Sequence, residues 1–283
     1  MQSMGPVQPG PEVLAGLGED SLAILRVWDV RLPAENRLHR AVRTLITLRS
    51  DASITREAWA EAAKTINEFG LITSLKIDNL EPVVRRKLKE SLGGRALPDS
   101  RRGCSARNTQ FELLLWAILG AAGVSPTIAE PDLRFRFRGE EVGIAAKRIW
   151  SPANAEKRLA NGLRQVRASG IRGFVATNVG SYLHPAAAVG TDRSRSEAFG
   201  QDVRSLDEYF RSQSSQASLL GYIQLGYATS TDPSVVGIDL TLLTMAYVYE
   251  GRLGAPEANE EFGELTRTGL RALWMGVRQR MAG

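Results

Sequence analysis

Residues 132–149, DLRFRFRGEEVGIAAKRI, constrain the fold more than any other stretch of the chain. Leu133, Phe135 and Phe137 alternate with Arg134, Arg136 and Arg138, a period of two that suits a strand with one buried face and no helix. Gly139-Glu140 makes a tight connection into a second run, Val142 to Ile149, which reads as a neighbouring strand. Around this hairpin the texture is mixed. Asn108 to Ala122 carries Phe111, Leu114, Leu115, Ile118 and Leu119 at helical spacing. After the hairpin, Ala155 to Ala168 reads as a helix, and Gly170 leads into a third strand through Phe174, Val175 and Ala176.

The rest of the chain is organised around that centre. Residues 1–18 are Gly- and Pro-rich without periodicity and are expected to form a flexible tail. Residues 19–95 are expected to form a small all-helical N-terminal domain, with helices around Leu38–Ile46, Thr55–Gly70 and Leu80–Leu92. The third of these has a basic outer face, Arg85, Arg86, Lys87 and Lys89, which reads as a solvated surface or as a nucleic-acid patch. Ala96 to Ser105 is turn-rich and polar and reads as a linker. Residues 106–283 then form the α/β domain. In it, Gln201–Arg211 and Gln216–Leu225 read as helix-like, and Val235–Val248 as one or two strands. A last helix runs from Pro256 to about Arg280.

Composition narrows the chemistry. The single cysteine, Cys104, excludes an internal disulfide and a Cys-cluster zinc site. Two histidines, His39 and His184, give poor support to His-dependent nucleases, zinc hydrolases or Ser-His-Asp enzymes. Neither a phosphate-cradling Walker run nor the three-glycine dinucleotide fingerprint occurs. Carboxylates and lysine must therefore carry any reaction. Six of the 36 basic residues are lysine and the rest arginine, within a net charge of +5. Arginine forks suit phosphates, which favours a nucleic acid over a neutral metabolite, although a GC-rich genome would produce the same bias. The longest apolar stretch, Leu113 to Val124, is too short to cross a bilayer and no apolar-cored leader opens the chain. A cytoplasmic location without membrane contact is the expectation.

Cleaving a phosphodiester requires cations held near the phosphate, an activated water, and stabilisation of developing charge. Hard cations take oxygen ligands, so carboxylates on a rigid frame do the holding. A hairpin can set an acid from one strand beside a lysine of the next. The segment from Pro131-Asp132 to Ala145-Ala146-Lys147-Arg148-Ile149 resembles the PD-(D/E)xK nuclease superfamily, which includes many restriction and repair nucleases. Pro131-Asp132 matches the first half of that signature and Lys147 its lysine. Glu112, on the preceding helix, matches an acid that members often carry upstream. The expected element order is α, β, β, β, α, β, and the resemblance covers roughly residues 107–180. A second Pro-Asp pair, Pro98-Asp99, is followed by Ser-Arg-Arg-Gly and not by a strand, and is set aside.

The resemblance implies a restriction-endonuclease-like mixed sheet flanked by helices and a metal-dependent DNA endonuclease in restriction, phage defence or repair. Mg2+ (or Mn2+) would be held by Asp132, Glu112 and the backbone carbonyl of Ala146, with Lys147 orienting the attacking water. Gln165, on the next helix, occupies a place where relatives carry a polar residue near the phosphate, or else faces solvent. Arg134, Arg136 and Arg148 are the candidate nucleic-acid contacts, and Arg138 more readily a solvated edge. One position departs from the pattern: the central acid belongs two residues before the lysine, where Ala145 stands. Glu141 lies four residues from the position it would need to fill, about 13 Å along a strand. Glu156 is the better candidate for a migrated acid. Either an alanine was introduced to silence an enzyme, or this is a naturally degenerate relative. Little or no cleavage is expected in both cases. The alternatives are a non-cutting DNA- or protein-binding module on a degenerate nuclease fold, and an unrelated α/β protein with an accidental motif. A homodimer or a partner protein would engage through the N-terminal helical domain. Trp116, Trp150 and Trp274 read as core, and His184 as a loop residue.

Overall fold

The computed structural model describes residues 10–33, 35–47, 56–77, 79–93, 105–149, 152–178, 208–213, 217–230, 239–249, 252–253 and 256–282. The linker expected at 96–105 lies outside these residues except for Ser105, as do Cys104, Trp150, His184 and residues 201–207. The chain divides into two compact units, one built mainly from Ile118–Ala228 and Thr241–Leu270, the other mainly from Gly5–Ala117 and Arg271–Gly283. No helix among the described residues is long and apolar enough to cross a membrane.

The first unit is mixed α/β. Its six-stranded sheet runs β1 (Thr127–Ala129), β2 (Asp132–Phe137), β3 (Glu140–Arg148), β4 (Gly173–Asn178), β5 (Leu219–Ser230), β6 (Asp239–Val248), each hydrogen-bonded to the next in that order. β1, β2 and β3 are antiparallel neighbours, whereas β4 is parallel to β3 and β5 parallel to β4. A parallel step needs a crossover, and α6 (Pro152–Ala168) supplies it between β3 and β4. The β2–β3 turn is made by Arg138 and Gly139, both at positive φ (51° and 82°), with Phe137 paired to Glu140. Two positive-φ residues match the strand twist of a two-residue hairpin. The tight connection thus begins one residue earlier than Gly139-Glu140.

Alternation divides the apolar residues between two layers. Phe135 and Phe137 of β2 and Phe174 of β4 gather around Phe262 of α7 (Glu257–Ala282), with ring centroids 4.2–6.2 Å away. Ala145, Val175 and Tyr222 join Ala155, Leu159, Leu163 and Val166 of α6 in a second buried cluster.

The other unit is helical: α1 (Pro11–Val27), α2 (Arg37–Thr47), α3 (Arg56–Thr73), α4 (Pro82–Ser91) and the greater part of α5 (Ser105–Ala121). Leu17, Leu25, Leu38, Leu45, Ile66, Phe69, Val84 and Leu88 are buried in it. α1 takes in residues 11–18, which the absence of periodicity had placed in the tail. Pro11 sits in the first turn, where its missing N–H costs nothing. Leu14, Ala15, Leu17 and Gly18 are buried at helical spacing.

One further expectation is corrected. Residues 216–225 read as a helix, and from Leu219 onward they form β5. Leu219, Leu220, Tyr222, Ile223, Gln224 and Leu225 are all buried. A strand covered on both faces shows no alternation, so its apolar run resembles a buried helix in the sequence. β1, which supplies the third strand of the order the resemblance implies, was not placed from the residues, because three of them are too few to carry a period.

Candidate active site

β2 and β3 bring Asp132 and Lys147 together. Their register pairs Leu133 with Ile144, so one step further Asp132 lies opposite Ala145. Lys147, two residues along β3 from Ala145, points to the same face. Its Nζ donates to Asp132 Oδ2 at 2.9 Å and to the carbonyl oxygen of Ala146 at 3.0 Å. The Ala146 backbone N–H donates to Asp132 Oδ2 at 2.8 Å. The two side chains are 14 % and 12 % exposed, enough to be reached from solvent and too little to be freely hydrated. A shared face is what the hairpin spacing demanded of this pair.

α6 closes over one side. Gln165 Nε2 donates to Asp132 Oδ1 at 2.9 Å, lies 3.2 Å from Glu130 Oε2, and reaches the Pro131 carbonyl. Gln165 therefore belongs to the cluster and does not simply face solvent. Glu130 is a member that the sequence did not suggest, since adjacency to Pro131 is its sole mark there. The helix comes this close because Gly162 has no side chain: a methyl there would stand 2.9 Å from Val175 Cγ1 and 3.2 Å from Lys147 Cγ.

The remaining candidates distribute differently. Glu112 lies on α5 in the helical unit, where its carboxylate accepts from Lys87 Nζ at 2.7 Å. Arg148 is buried at 5 % exposure. As the residue after Lys147 it projects to the opposite face of β3, so phosphate contact beside Lys147 does not fit its placement. Arg134 donates from Nε to the Glu130 carbonyl at 2.5 Å and stands 3.7 Å from Glu141 Oε2. Arg136 is exposed, while Arg138 pairs with Glu261 at 3.0 Å. Glu141 is thus occupied with Arg134. Glu156 is exposed, and its charge acts on Tyr209, whose hydroxyl is pushed up first by burial and then by that carboxylate.

Ala145 is fully buried among the apolar residues under α6. The site therefore holds Asp132, whose two oxygens already accept from Ala146, Lys147 and Gln165, and beside it the Glu130 carboxylate, which shares the Gln165 amide. Among the described residues no group of three or more His, Cys, Asp or Glu side chains converges. Mg2+ takes near-octahedral oxygen ligation through one or two carboxylates with free oxygens, and here the Asp132 oxygens are taken up by donors, one of them the Lys147 ammonium. The donor set as it stands does not fit such an ion. What the arrangement offers is an ammonium and an amide beside a shielded carboxylate, donors suited to a phosphate oxygen that approaches Lys147. Compared with family models, with curated proteins and with solved structures, the chain matches none.

Proposed function

We propose that this chain carries a restriction-endonuclease-like nuclease domain directed at DNA, built for metal-dependent phosphodiester hydrolysis and silenced by alanine at position 145. The supporting observation is the convergence of Asp132 and Lys147, 2.9 Å apart on one face of a hairpin. The order α5, β1, β2, β3, α6, β4 agrees with the order the resemblance implies. Lys147 would place and neutralise a phosphate oxygen, while Gln165 and the Ala146 N–H hold Asp132 in position. An acid at 145, opposite Asp132 and two residues from Lys147, would add a carboxylate on the Asp132 face for Mg2+ or Mn2+ to bind. Restriction, phage defence and DNA repair are the settings that such chemistry serves.

A second reading, a non-cutting module that binds DNA or a protein, is favoured by the occupation of both Asp132 oxygens. Plasmid nicking with Mg2+ or Mn2+ separates the two. The native chain should leave supercoiled plasmid intact. Ala145→Glu should nick it, and Ala145→Glu with Lys147→Ala should not. Because position 145 is buried, Ala145→Asp is assayed alongside, with circular dichroism to establish folding. Folded Ala145→Glu and Ala145→Asp proteins that both fail to nick plasmid would replace the silenced nuclease with the binding module.

A further inference from the structure

The site face extends two strands beyond Lys147. β3 pairs with β4 and β4 with β5, so that Ala145, Val175 and Tyr222 form one row and Lys147, Thr177 and Gln224 the next. The first row is buried under α6. A strand repeats its facing every two residues, which places Gln224 on the face of Lys147 and Asp132. Two strand spacings separate Gln224 from Lys147, about 10 Å between Cα atoms.

Gln224 is 1 % exposed. Neither its Nε2 nor its Oε1 has a hydrogen-bond partner among the described residues. An amide buried in that condition opposes folding, and an apolar side chain of equal size would serve the sheet better. Its neighbours along β5, Leu219, Leu220, Tyr222, Ile223 and Leu225, show what such a strand otherwise contains. A polar group kept at such a position points to a ligand that completes it.

We propose that Gln224 contacts a nucleobase of a DNA strand whose phosphate lies at Lys147; the inference rests on the nucleic-acid reading above. The amide presents one donor side and one acceptor side. A phosphate only accepts, so it would satisfy Nε2 and leave Oε1 unpaired. A base edge with both functions satisfies the two together, as adenine N7 and N6–H do for glutamine. At 1 % exposure the amide is closed over in the free chain, so a base reaches it only as the side chains over it give way, and a base still stacked within a duplex does not, so the strand is unpaired at that point.

The test is fluorescence anisotropy in EDTA, with a labelled oligodeoxyadenylate and an abasic strand of the same length and charge. The native chain should bind the base-bearing strand roughly tenfold more tightly. Gln224→Leu should erase that preference, leave affinity for the abasic strand unchanged, and melt no lower than the native protein. Gln224→Met is measured beside it as a second apolar replacement. Equal loss on both strands would overturn the base contact, as would an undiminished preference in both variants. Lowered melting temperatures in both variants would also overturn it, since the amide would then be engaged within the protein. Equal affinity of the native chain for the two strands removes this inference alone. Binding to neither strand removes the nucleic-acid reading with it.

Discussion

Asp132 is fixed from three directions: by the Ala146 N–H along β3, by Lys147 across the hairpin, and by Gln165 from α6. Charge-assisted bonds in so sheltered a place are stronger than their exposed counterparts. The exposed pair of Arg86 and Glu90 on α4, 3.8 Å apart, contributes little by comparison. His39 shows the opposite balance in the helical unit. Asn36 Nδ2 lies 2.6 Å from its Nδ1, which must stay unprotonated to accept. Burial lowers its pKa below the ordinary 6.5, and the charges of Arg26 and Arg43 add to this, against an opposing contribution from Glu35. Above pH 6.5 the imidazole is neutral whether the chain is folded or unfolded, and nothing is lost. As pH falls below 6.5 the unfolded chain takes up the proton first, so stability declines until the folded pKa is passed as well. His39→Gln, which keeps an acceptor without titrating, should reduce the drop in denaturation midpoint between pH 7.5 and pH 5.5. Identical drops for the two proteins would show that His39 contributes nothing to it.

Elements decide how close these side chains come. α6 meets the sheet at Gly162, and the room there is less than a methyl group needs. In an open helix position, glycine to alanine stabilises by about 1 kcal/mol. Gly16 in α1 is such a position, with nothing within 4 Å of an added Cβ. At Gly162 the same change meets Val175 and the stem of Lys147, and overpacking of that kind costs about 1–3 kcal/mol. Gly16→Ala should therefore raise the melting temperature and Gly162→Ala should lower it. Equal stabilisation by both would mean that α6 rides higher over β3 and β4 than the structure has it. The same scale explains what the sequence made readable. The β2–β3 hairpin could be read directly, because one buried face leaves a period of two, and the facing of Asp132 and Lys147 followed from it. β5 could not, because burial on both sides erases the period, and with the strand unrecognised Gln224 had no face to belong to. Gln165 lay between a site role and a solvent role until the path of α6 decided it, a matter of one missing Cβ.

At the scale of the whole chain, most of α5 belongs with the N-terminal helices. Its residues 105–117 group with the helical unit, not with the sheet that follows. Arg107 forms an ion pair with Glu61, Gln110 accepts from Arg37, and Glu112 accepts from Lys87, joining α5 to α3, α2 and α4. Near the other end of the chain, Arg280 donates to Thr73 Oγ1 at 3.1 Å and to Ser74 Oγ at 2.9 Å. The polar texture of residues 96–105 suggests a clean cut between two domains, yet the partners of α5 lie on the far side of that cut. A fragment of residues 106–283 keeps Phe111, Leu113 and Leu114, each fully buried in the intact chain, and loses α1 to α4. It also leaves Arg107, Gln110 and Glu112 without the partners they have on α3, α2 and α4, and buried polar groups without those partners oppose folding. The fragment should accumulate in the insoluble fraction or lack a cooperative thermal transition by circular dichroism. A soluble fragment melting in a single step near the temperature of the full chain would establish the sheet unit as independent of α1 to α4. It would also reduce the ion pairs across α5 to surface ornament, in the sense that removing them would cost no more than an exposed pair does, about 0–1 kcal/mol.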